Sequence, residues 1–444
     1  MESVIDNNIE ALAAELKSDR PDKEKALELA EKIDRDSTEN GEARYNAARR
    51  VLSKAFSIED YSLLKELRPT AKTVVSAILY LRDCGLDHDD VKNIVERFPS
   101  ITSLGIENLD EKREYFGFTK EEFAKVVKRF PGITSPRIEN LEEKREYLGF
   151  TKEEFANVVK GNPSITGYSI ENLEEKREYL GFTKEEFAKA VKVNPSITSP
   201  NIENLEEKRE YFGFTNKEFA DTVRKFPSIT NYRIENLEEK REYLGFTNKE
   251  FAKVVRKFPI ITGYSIENLE EKRKYLGFTK EEFANTVRKF PSITGPSIEN
   301  LEEKRKYLML DKERFKKLVY SFPAIVGYGE ENLERKIDWY KRHFNISKEE
   351  FIFRLVEKPA LYSPLLGSAF YKKILLWSKA MTLHGKPLGD IRDLASVMKV
   401  DEKKFVERYG SGISAEEYEW LKQLARVTSE ANPPKKERKE KSKV

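Results

Sequence analysis

Proline recurs at a fixed interval along most of the chain, and this period constrains the fold more than any other feature. Eight prolines follow one another at steps of 32 residues: Pro99, Pro131, Pro163, Pro195, Pro227, Pro259, Pro291 and Pro323. Segments 131–162 and 163–194 are identical at 25 of 32 positions. A period between about 20 and 50 residues is typical of solenoids and other repeat arrays. The sequence therefore predicts stacked similar units rather than one globular core.

The first half of each unit predicts a short amphipathic helix. In the unit that begins at Pro99, we expect this helix over 107–116. Ile106, Leu109 and Phe116 share one apolar stripe, and acidic residues lie opposite. We interpret Lys112 and Arg113, which flank the stripe, as chains that cover apolar surface while their charged ends stay in water. Tyr115 is interpreted as a packing residue rather than a platform for a stacked base.

The second half of each unit predicts a second helix with defined ends. Gly117 suits a left-handed cap of the first helix, and Thr119 with Glu122 has the spacing of a capping box. The residue before Pro131 is pushed out of the helical region, so the helix ends there. The residues expected to face the core are Phe123, Val126, Val127 and Phe130. Neither helix can bury its stripe alone, so the units must stack into an all-α solenoid with atypical ends.

The departures from the period divide the chain into four predicted regions. These are an N-terminal helical cap over 1–55, a repeat array of about nine units over 56–360, a C-terminal helical cap over 361–430, and a basic tail over 431–444. The tail is charged and of low complexity, and we expect it to be disordered.

Composition excludes some classes of protein. No apolar run approaches the ~18 residues that a membrane-spanning helix needs, so we expect no membrane association. Cys84 is the only cysteine, which favours an intracellular, reducing compartment. The sequence does not distinguish nucleus, organelle and bacterial cytoplasm. The net charge is +3, so any basic surface must come from the arrangement of the charges.

The divergent unit that begins at Pro69 resembles a known family. Its segments 80–86 (YLRDCGL), 89–91 (DDV) and 97–101 (RFPSI) are similar to the repeat of the mitochondrial transcription termination factor (mTERF) family. The resemblance extends over about 69–364. It implies a right-handed-type superhelix of helix–helix–3₁₀ units, and the binding of nucleic acid, often duplex DNA, in its groove.

A column of cations recurs near the end of the second helix. The position three residues before proline is basic in six units: Lys128, Lys160, Lys192, Arg224, Arg256 and Arg288. In four of these units the next residue is also basic: Arg129, Lys225, Lys257 and Lys289. Regularly spaced cations suit a phosphate backbone. The alternative is that they complement the helix dipole on a solvated face.

A variable triplet lies four to six residues after each proline, where a recognition array would place its readers. Its third residues are candidate base-reading residues: Arg137, Ser169, Asn201, Arg233, Ser265 and Ser297. The alternative is that they cap the first helix, since Ser and Asn are good N-caps. The two arginines fit that alternative poorly, and arginine commonly reads guanine.

No catalytic constellation is recognisable. His88, His343 and His384 are isolated, and the sequence has neither a Gly-rich phosphate loop nor a Cys/His cluster. We therefore predict a non-enzymatic monomer without cofactor or metal. It is expected to bind nucleic acid, DNA rather than RNA, and sequence-specific binding and transcription regulation are the functions that we consider for it. The alternative is a protein-interaction α-solenoid, which would lack the steep salt dependence of a nucleic-acid binder.

Overall fold

The computed structural model describes residues 2–37, 41–58 and 68–366, together with positions 404, 407, 414, 416 and 419. All regular structure in these residues is helical, which confirms the all-α prediction. The chain divides into two compact units, Met1–Tyr232 and Arg233–Val444, called here the first and second unit. Each unit contains several copies of the 32-residue element, the repeat.

The first unit begins with three helices that lie within the predicted N-terminal cap. They are α1 (Glu2–Lys17), α2 (Lys23–Asp36) and α3 (Gly41–Phe56). α1 packs against α2 and α3, and α2 packs against α4. The contact surface is apolar, because Leu12, Ala30 and Val51 are fully buried.

The repeats of the first unit follow from α4 onward. Their α-helices are α4 (Ala71–Asp83), α5 (His88–Arg97), α6 (Ile106–Tyr115), α7 (Lys120–Arg129), α8 (Ile138–Tyr147), α9 (Lys152–Gly161), α10 (Ile170–Tyr179), α11 (Lys184–Val193), α12 (Ile202–Tyr211) and α13 (Asn216–Lys225). Short 3₁₀ helices separate the repeats: Pro99–Ser103, Pro131–Thr134, Pro163–Gly167, Pro195–Thr198 and Pro227–Asn231. The helix–helix–3₁₀ order implied by the family resemblance is therefore confirmed.

The second unit continues the same pattern. Its α-helices are α14 (Ile234–Tyr243), α15 (Asn248–Lys257), α16 (Ile266–Tyr275), α17 (Lys280–Lys289), α18 (Ile298–Tyr307), α19 (Lys312–Ser321), α20 (Glu330–Phe344), α21 (Lys348–Glu357) and α22 (Pro359–Tyr362). Its 3₁₀ helices are Pro259–Gly263, Pro291–Thr294, Pro323–Gly327 and Ser363–Leu366. The long first helix α20 accommodates the extra residues of its repeat. The predicted helices beyond residue 366 and the tail lie outside the described residues, so the four-region division stays a prediction.

Local side-chain chemistry sets the helix ends as the sequence predicts. The Thr119 hydroxyl accepts a hydrogen bond from the Glu122 amide, and the Glu122 carboxylate accepts one from the Thr119 amide. Gly117 adopts the left-handed conformation at φ +63°, which costs glycine little because it has no Cβ. The first helix begins one residue earlier than expected, at Ile106, and Phe116 is its C-cap.

The predicted core is mostly correct and needs two corrections. Leu109, Phe123 and Val127 are fully buried. Ile106 is 41% exposed, because as the first helical residue it lies at the rim of a surface cleft. Phe130 is only half-buried, since its backbone has left the helix at φ −142°. No helix among the described residues has the length and apolar character needed to cross a bilayer.

Candidate nucleic-acid interface

The predicted cation column is tied to the preceding repeat by ion pairs. The Lys160 ammonium lies 2.7 Å from a Glu122 carboxylate oxygen, and Arg224 Nε lies 3.0 Å from Glu186. The other pairs at this position are Lys128 with Asp90, Lys192 with Glu154, and Arg288 with Glu250. In four of the five pairs the acid is the glutamate of a capping box. One carboxylate therefore both caps a helix and binds the next repeat.

An aromatic ring of the preceding repeat lies beneath most of these cations. The Lys160 ammonium lies 5.1 Å from the centre of the Phe118 ring, and the Arg224 guanidinium 4.8 Å from Phe182. Lys192 over Phe150 and Arg288 over Phe246 repeat the contact. Such cation–π contacts contribute about 0.5–2 kcal/mol. The column thus has a structural role within each unit, and phosphate binding by it stays a prediction.

The cations of the column nevertheless remain open to solvent. Side-chain exposure falls from 57% at Lys128 to 31% at Arg288, and Arg256 is also exposed. Tyr320 occupies the position in α19, where its ring contacts Phe278 edge-to-face at 5.9 Å. An aromatic ring here replaces the cation as the partner of the buried phenylalanine.

The residues immediately after the column differ in type, contacts and exposure. The Arg129 guanidinium donates to the carbonyls of Lys160 and Gly161, at the end of the next second helix. Lys225, Lys257 and Lys289 are exposed. Gly161 and Val193 hold this position in α9 and α11, so the first unit has no cation there in two successive repeats.

The candidate base-reading residues fall into two groups. The Ser169 hydroxyl accepts a hydrogen bond from the Asn172 amide at 3.1 Å, and Asn201 accepts from the Asn204 amide at 2.9 Å. Ser265 and Ser297 cap their helices in the same way. These four side chains therefore serve as helix caps, as the alternative interpretation expects.

Arg137 and Arg233 also occupy N-cap positions, but neither makes a side-chain cap hydrogen bond. Both are exposed. Their guanidinium groups lie at the positive end of a helix dipole, which is unfavourable. Base reading by these two residues stays a prediction, and helix formation does not explain why they are arginine.

The middle residue of the triplet sets the length of the 3₁₀ helix. The Tyr168 amide donates to the Ile165 carbonyl at 3.4 Å and closes a five-residue 3₁₀ helix. Pro136 has no amide hydrogen, so the equivalent helix ends at Thr134 after four residues. The backbone of the triplet therefore adopts two conformations, one where its middle residue is proline and one where it is tyrosine.

Lysines on the first helices are buried, which corrects the expectation that their charged ends stay in water. Lys176 is 2% exposed, and its ammonium donates to the Asn172 side chain and to the Thr198 carbonyl of the next repeat, both at 2.6 Å. Buried lysines occur at the equivalent positions Lys112, Lys144, Lys208, Lys272, Lys304 and Lys336. Burial lowers their pKa values. The signal that could have revealed them is that lysine is kept at Lys336 although its neighbours there, Arg335 and Ile337, replace the glutamate and arginine of the other repeats.

A second connection joins the first helices of neighbouring repeats. The Tyr115 hydroxyl donates to a Glu142 carboxylate oxygen at 2.8 Å. Arg145 donates to the same carboxylate at 3.0 Å and to the Phe150 carbonyl at 2.6 Å. The two partners, Arg145 first, lower the pKa of Glu142 to about 2. Burial raises the pKa of Tyr115. The interpretation of Tyr115 as a packing residue is supported, because its hydroxyl is occupied within the protein.

One comparison with known proteins bears on this architecture. The family model described as mTERF matches residues 42–182 and 276–374, together more than half of the chain. The matched segments include the divergent repeat of α4 and α5 and the repeats at the end of the described region. No curated protein matches the chain.

Proposed function

Because this chain belongs to the mTERF family, a family of nucleic-acid-binding helical-repeat proteins, we propose that it binds duplex DNA sequence-specifically and regulates transcription. The observation that supports DNA binding is a cation at one position of the second helix in six repeats, each at least partly open to solvent. Backbone phosphates present charges at regular intervals, so repeated cations suit them.

The proposal divides the candidate residues by role. Each cation of the column would bind a phosphate while it stays paired with the carboxylate of the preceding repeat. This is possible because the ammonium or guanidinium group keeps N–H donors that the carboxylate does not occupy. Lys225, Lys257 and Lys289, which are exposed beside the column, would add further positive charge next to it. Arg137 and Arg233 would contact base edges, because exposed arginine is the common reader of guanine.

Neutral substitutions on either side of one ion pair test the role of the column. Lys192→Gln and Glu154→Gln both break the same pair. If Lys192 binds phosphate, Lys192→Gln weakens duplex binding, whereas Glu154→Gln leaves it unchanged or strengthens it. Fluorescence anisotropy with a labelled duplex over a range of salt concentrations measures both. Equal losses in the two variants would show that the pair acts only through stability.

Selection from a randomised duplex pool tests sequence reading. The wild type is expected to enrich a defined site, and Arg137→Ser is expected to relax the preference at one position by about 1–3 kcal/mol. Ser169→Ala, at an equivalent helix cap, is the control and keeps the preference. An unchanged profile for Arg137→Ser would remove this residue from the proposed readers.

The wild type alone decides between the two classes of function. Steep salt dependence of binding to duplex, with weaker binding to single-stranded DNA and to RNA, is the expected result. Absence of binding to all three at low salt would leave the protein-interaction scaffold as the better interpretation. The proposal keeps the protein in a reducing compartment, where the buried Cys84 stays a thiol.

A further inference from the structure

A second surface position on the second helices alternates between repeats. It lies three residues before the cation column, one helical turn away. The residues along the chain are Lys125, Asn157, Lys189, Asp221, Lys253, Asn285 and Lys317. Lysine recurs at every second repeat, while asparagine or aspartate occupies each repeat between. This alternation has a period of 64 residues, twice the period of the fold.

The structure gives the two classes of residue different tasks. Asp221 forms an ion pair with Arg224 at 2.9 Å, and the Asn285 side chain accepts a hydrogen bond from Arg288 at 2.8 Å. In these repeats the residue holds the column arginine. Lys125, Lys189 and Lys253 are exposed, and none of the three forms an ion pair with another residue that the structure describes.

The charge at this position of the second helix therefore alternates along each unit. At Lys189 the repeat adds one cation to a column pair, Lys192 with Glu154, that is already neutral. At Asp221 the repeat adds an anion to the neutral pair of Arg224 and Glu186. At this position an extended anion meets an exposed lysine once per two repeats.

The spacing fits the backbone of a duplex. Second helices of neighbouring repeats contact each other, as α9 and α11 do, and packed helices lie about 8–10 Å apart. Lys125 and Lys189 are two such steps apart along the first unit, about 16–20 Å. One turn of duplex DNA is about 34–36 Å long, so its two strands together cross one face twice per turn, at a mean interval of about 17–18 Å that is longer across the major groove and shorter across the minor groove.

We propose that Lys125 and Lys189 are the principal phosphate contacts of the first unit, and that a duplex bound there is contacted at every second repeat. Lysines two repeats apart then meet successive backbone crossings, and the repeat between them lies over a groove. This inference rests on the proposed nucleic-acid binding and specifies its register. Lys317 is excluded because it pairs with Glu357 at 2.8 Å.

The test uses the full-length protein and a labelled duplex of about 30 base pairs, long enough for nearly three turns. The slope of log K against log salt counts phosphate contacts at about 0.9 each for duplex. Lys125→Asn with Lys189→Asn is expected to lower that slope by about 1.8. Asparagine is already present at this position at Asn157, so the variant introduces a residue that the repeat tolerates.

A matched control removes the same number of lysines from the N-terminal ends of second helices. Lys152 and Lys184 are exposed lysines at the start of α9 and α11, and asparagine stands at the equivalent position in α13 and α15. Lys152→Asn with Lys184→Asn is expected to leave the slope unchanged. An equal loss in both double variants would overturn the proposal, because only total charge would then matter.

Moving the lysines by one repeat tests the two-repeat register. Adding Asn157→Lys and Asp221→Lys to the Lys125→Asn, Lys189→Asn variant restores the spacing one repeat further on, and is expected to restore the slope. Asn157→Lys in the wild type places a lysine over the groove and is expected to leave the slope unchanged. A rise of about 0.9 in that variant would overturn the register.

The remaining outcomes separate this inference from the function on which it rests. Salt-dependent binding by the wild type with no change in Lys125→Asn, Lys189→Asn would overturn the inference and leave nucleic-acid binding in place. No binding by the wild type would overturn both. A loss of about 0.7 per lysine on single-stranded DNA, with none on duplex, would overturn the assignment to a duplex.

Discussion

The ammonium nitrogen of Lys176 lies 4.4 Å from the centre of the Tyr168 ring in the same repeat. The same ammonium donates to the Thr198 carbonyl of the next repeat. Lys272 over Tyr264, with a hydrogen bond to the Thr294 carbonyl, repeats this arrangement in the second unit. A buried charge is stable only when it is hydrogen-bonded, so each of these lysines depends on the neighbour that it joins.

Truncation of Lys176 is expected to be strongly destabilising. Lys176→Ala leaves the Thr198 carbonyl without this donor and opens a cavity, so the free energy of unfolding should fall by about 2–4 kcal/mol. Lys176→Met keeps most of the volume and should lose about 1–3 kcal/mol. Urea unfolding measures both. Glu175→Ala, at an exposed neighbour, is the control and should stay within about 0.5 kcal/mol of wild type. A loss for Lys176→Ala no larger than that of the control would contradict the role assigned to the buried lysine.

Replacing Met309 by glycine is expected to stabilise the protein. Met309 adopts a left-handed conformation at φ +54° and is 53% exposed, at the position where Gly277 has φ +67°. A residue with a Cβ loses about 1–2 kcal/mol in that conformation, and Met309→Gly recovers part of it. Gly277→Ala should have the opposite effect. The urea midpoints of the two variants should move in opposite directions, and a shift of both in one direction would argue against backbone strain as the cause.

Arg137→Ser is expected to stabilise α8 while it impairs sequence reading. Serine at the N-cap supplies the hydrogen bond that Arg137 does not make, worth about 1 kcal/mol. The reverse change, Ser169→Arg, should destabilise α10 by a similar amount. Unfolding measurements on the two variants check this. A loss of stability in Arg137→Ser would mean that the arginine has a structural role in the fold.

The free energy of unfolding is expected first to rise and then to fall as the pH increases through the alkaline range. Burial, with the neighbouring Arg335, lowers the pKa of Lys336 to about 8. Between about 8 and the unfolded value of about 10.4, the unfolded chain binds more protons. The free energy of unfolding therefore rises with pH.

Half-buried tyrosines affect stability above that range. Burial and the Glu302 carboxylate raise the pKa of Tyr275 to about 12. The unfolded chain loses this proton first, so stability falls above about pH 10. Urea midpoints at about pH 7, 8.5 and 10 should rise, and Lys336→Met should reduce the rise. A decline from pH 7 to 10 in the wild type would contradict the assigned lysine pKa shifts.

The helix ends could be predicted because they depend on short-range chemistry. The Thr119 and Glu122 capping box closes over three residues, and Gly117 needs only its own backbone freedom. The proline period likewise predicts the repeats from sequence spacing alone, because it does not depend on which residues of neighbouring repeats come into contact. The position of the cation column could also be predicted, since it recurs at one place in six repeats, whereas phosphate binding by it stays a prediction.

Contacts between repeats could not be predicted from local spacing. The sequence alone determined the period, the two helices of each repeat, their caps and the family resemblance. Only the tertiary structure decided that Lys176 is buried and that Lys192 pairs with Glu154, because these contacts join residues 22 and 38 positions apart. A lysine has the same side chain and the same helix propensity whether its ammonium group lies in water or in the core, so the sequence pattern does not show which of the two applies. Its environment depends on which carbonyl or carboxylate the next repeat brings to its ammonium group, and stacking determines that.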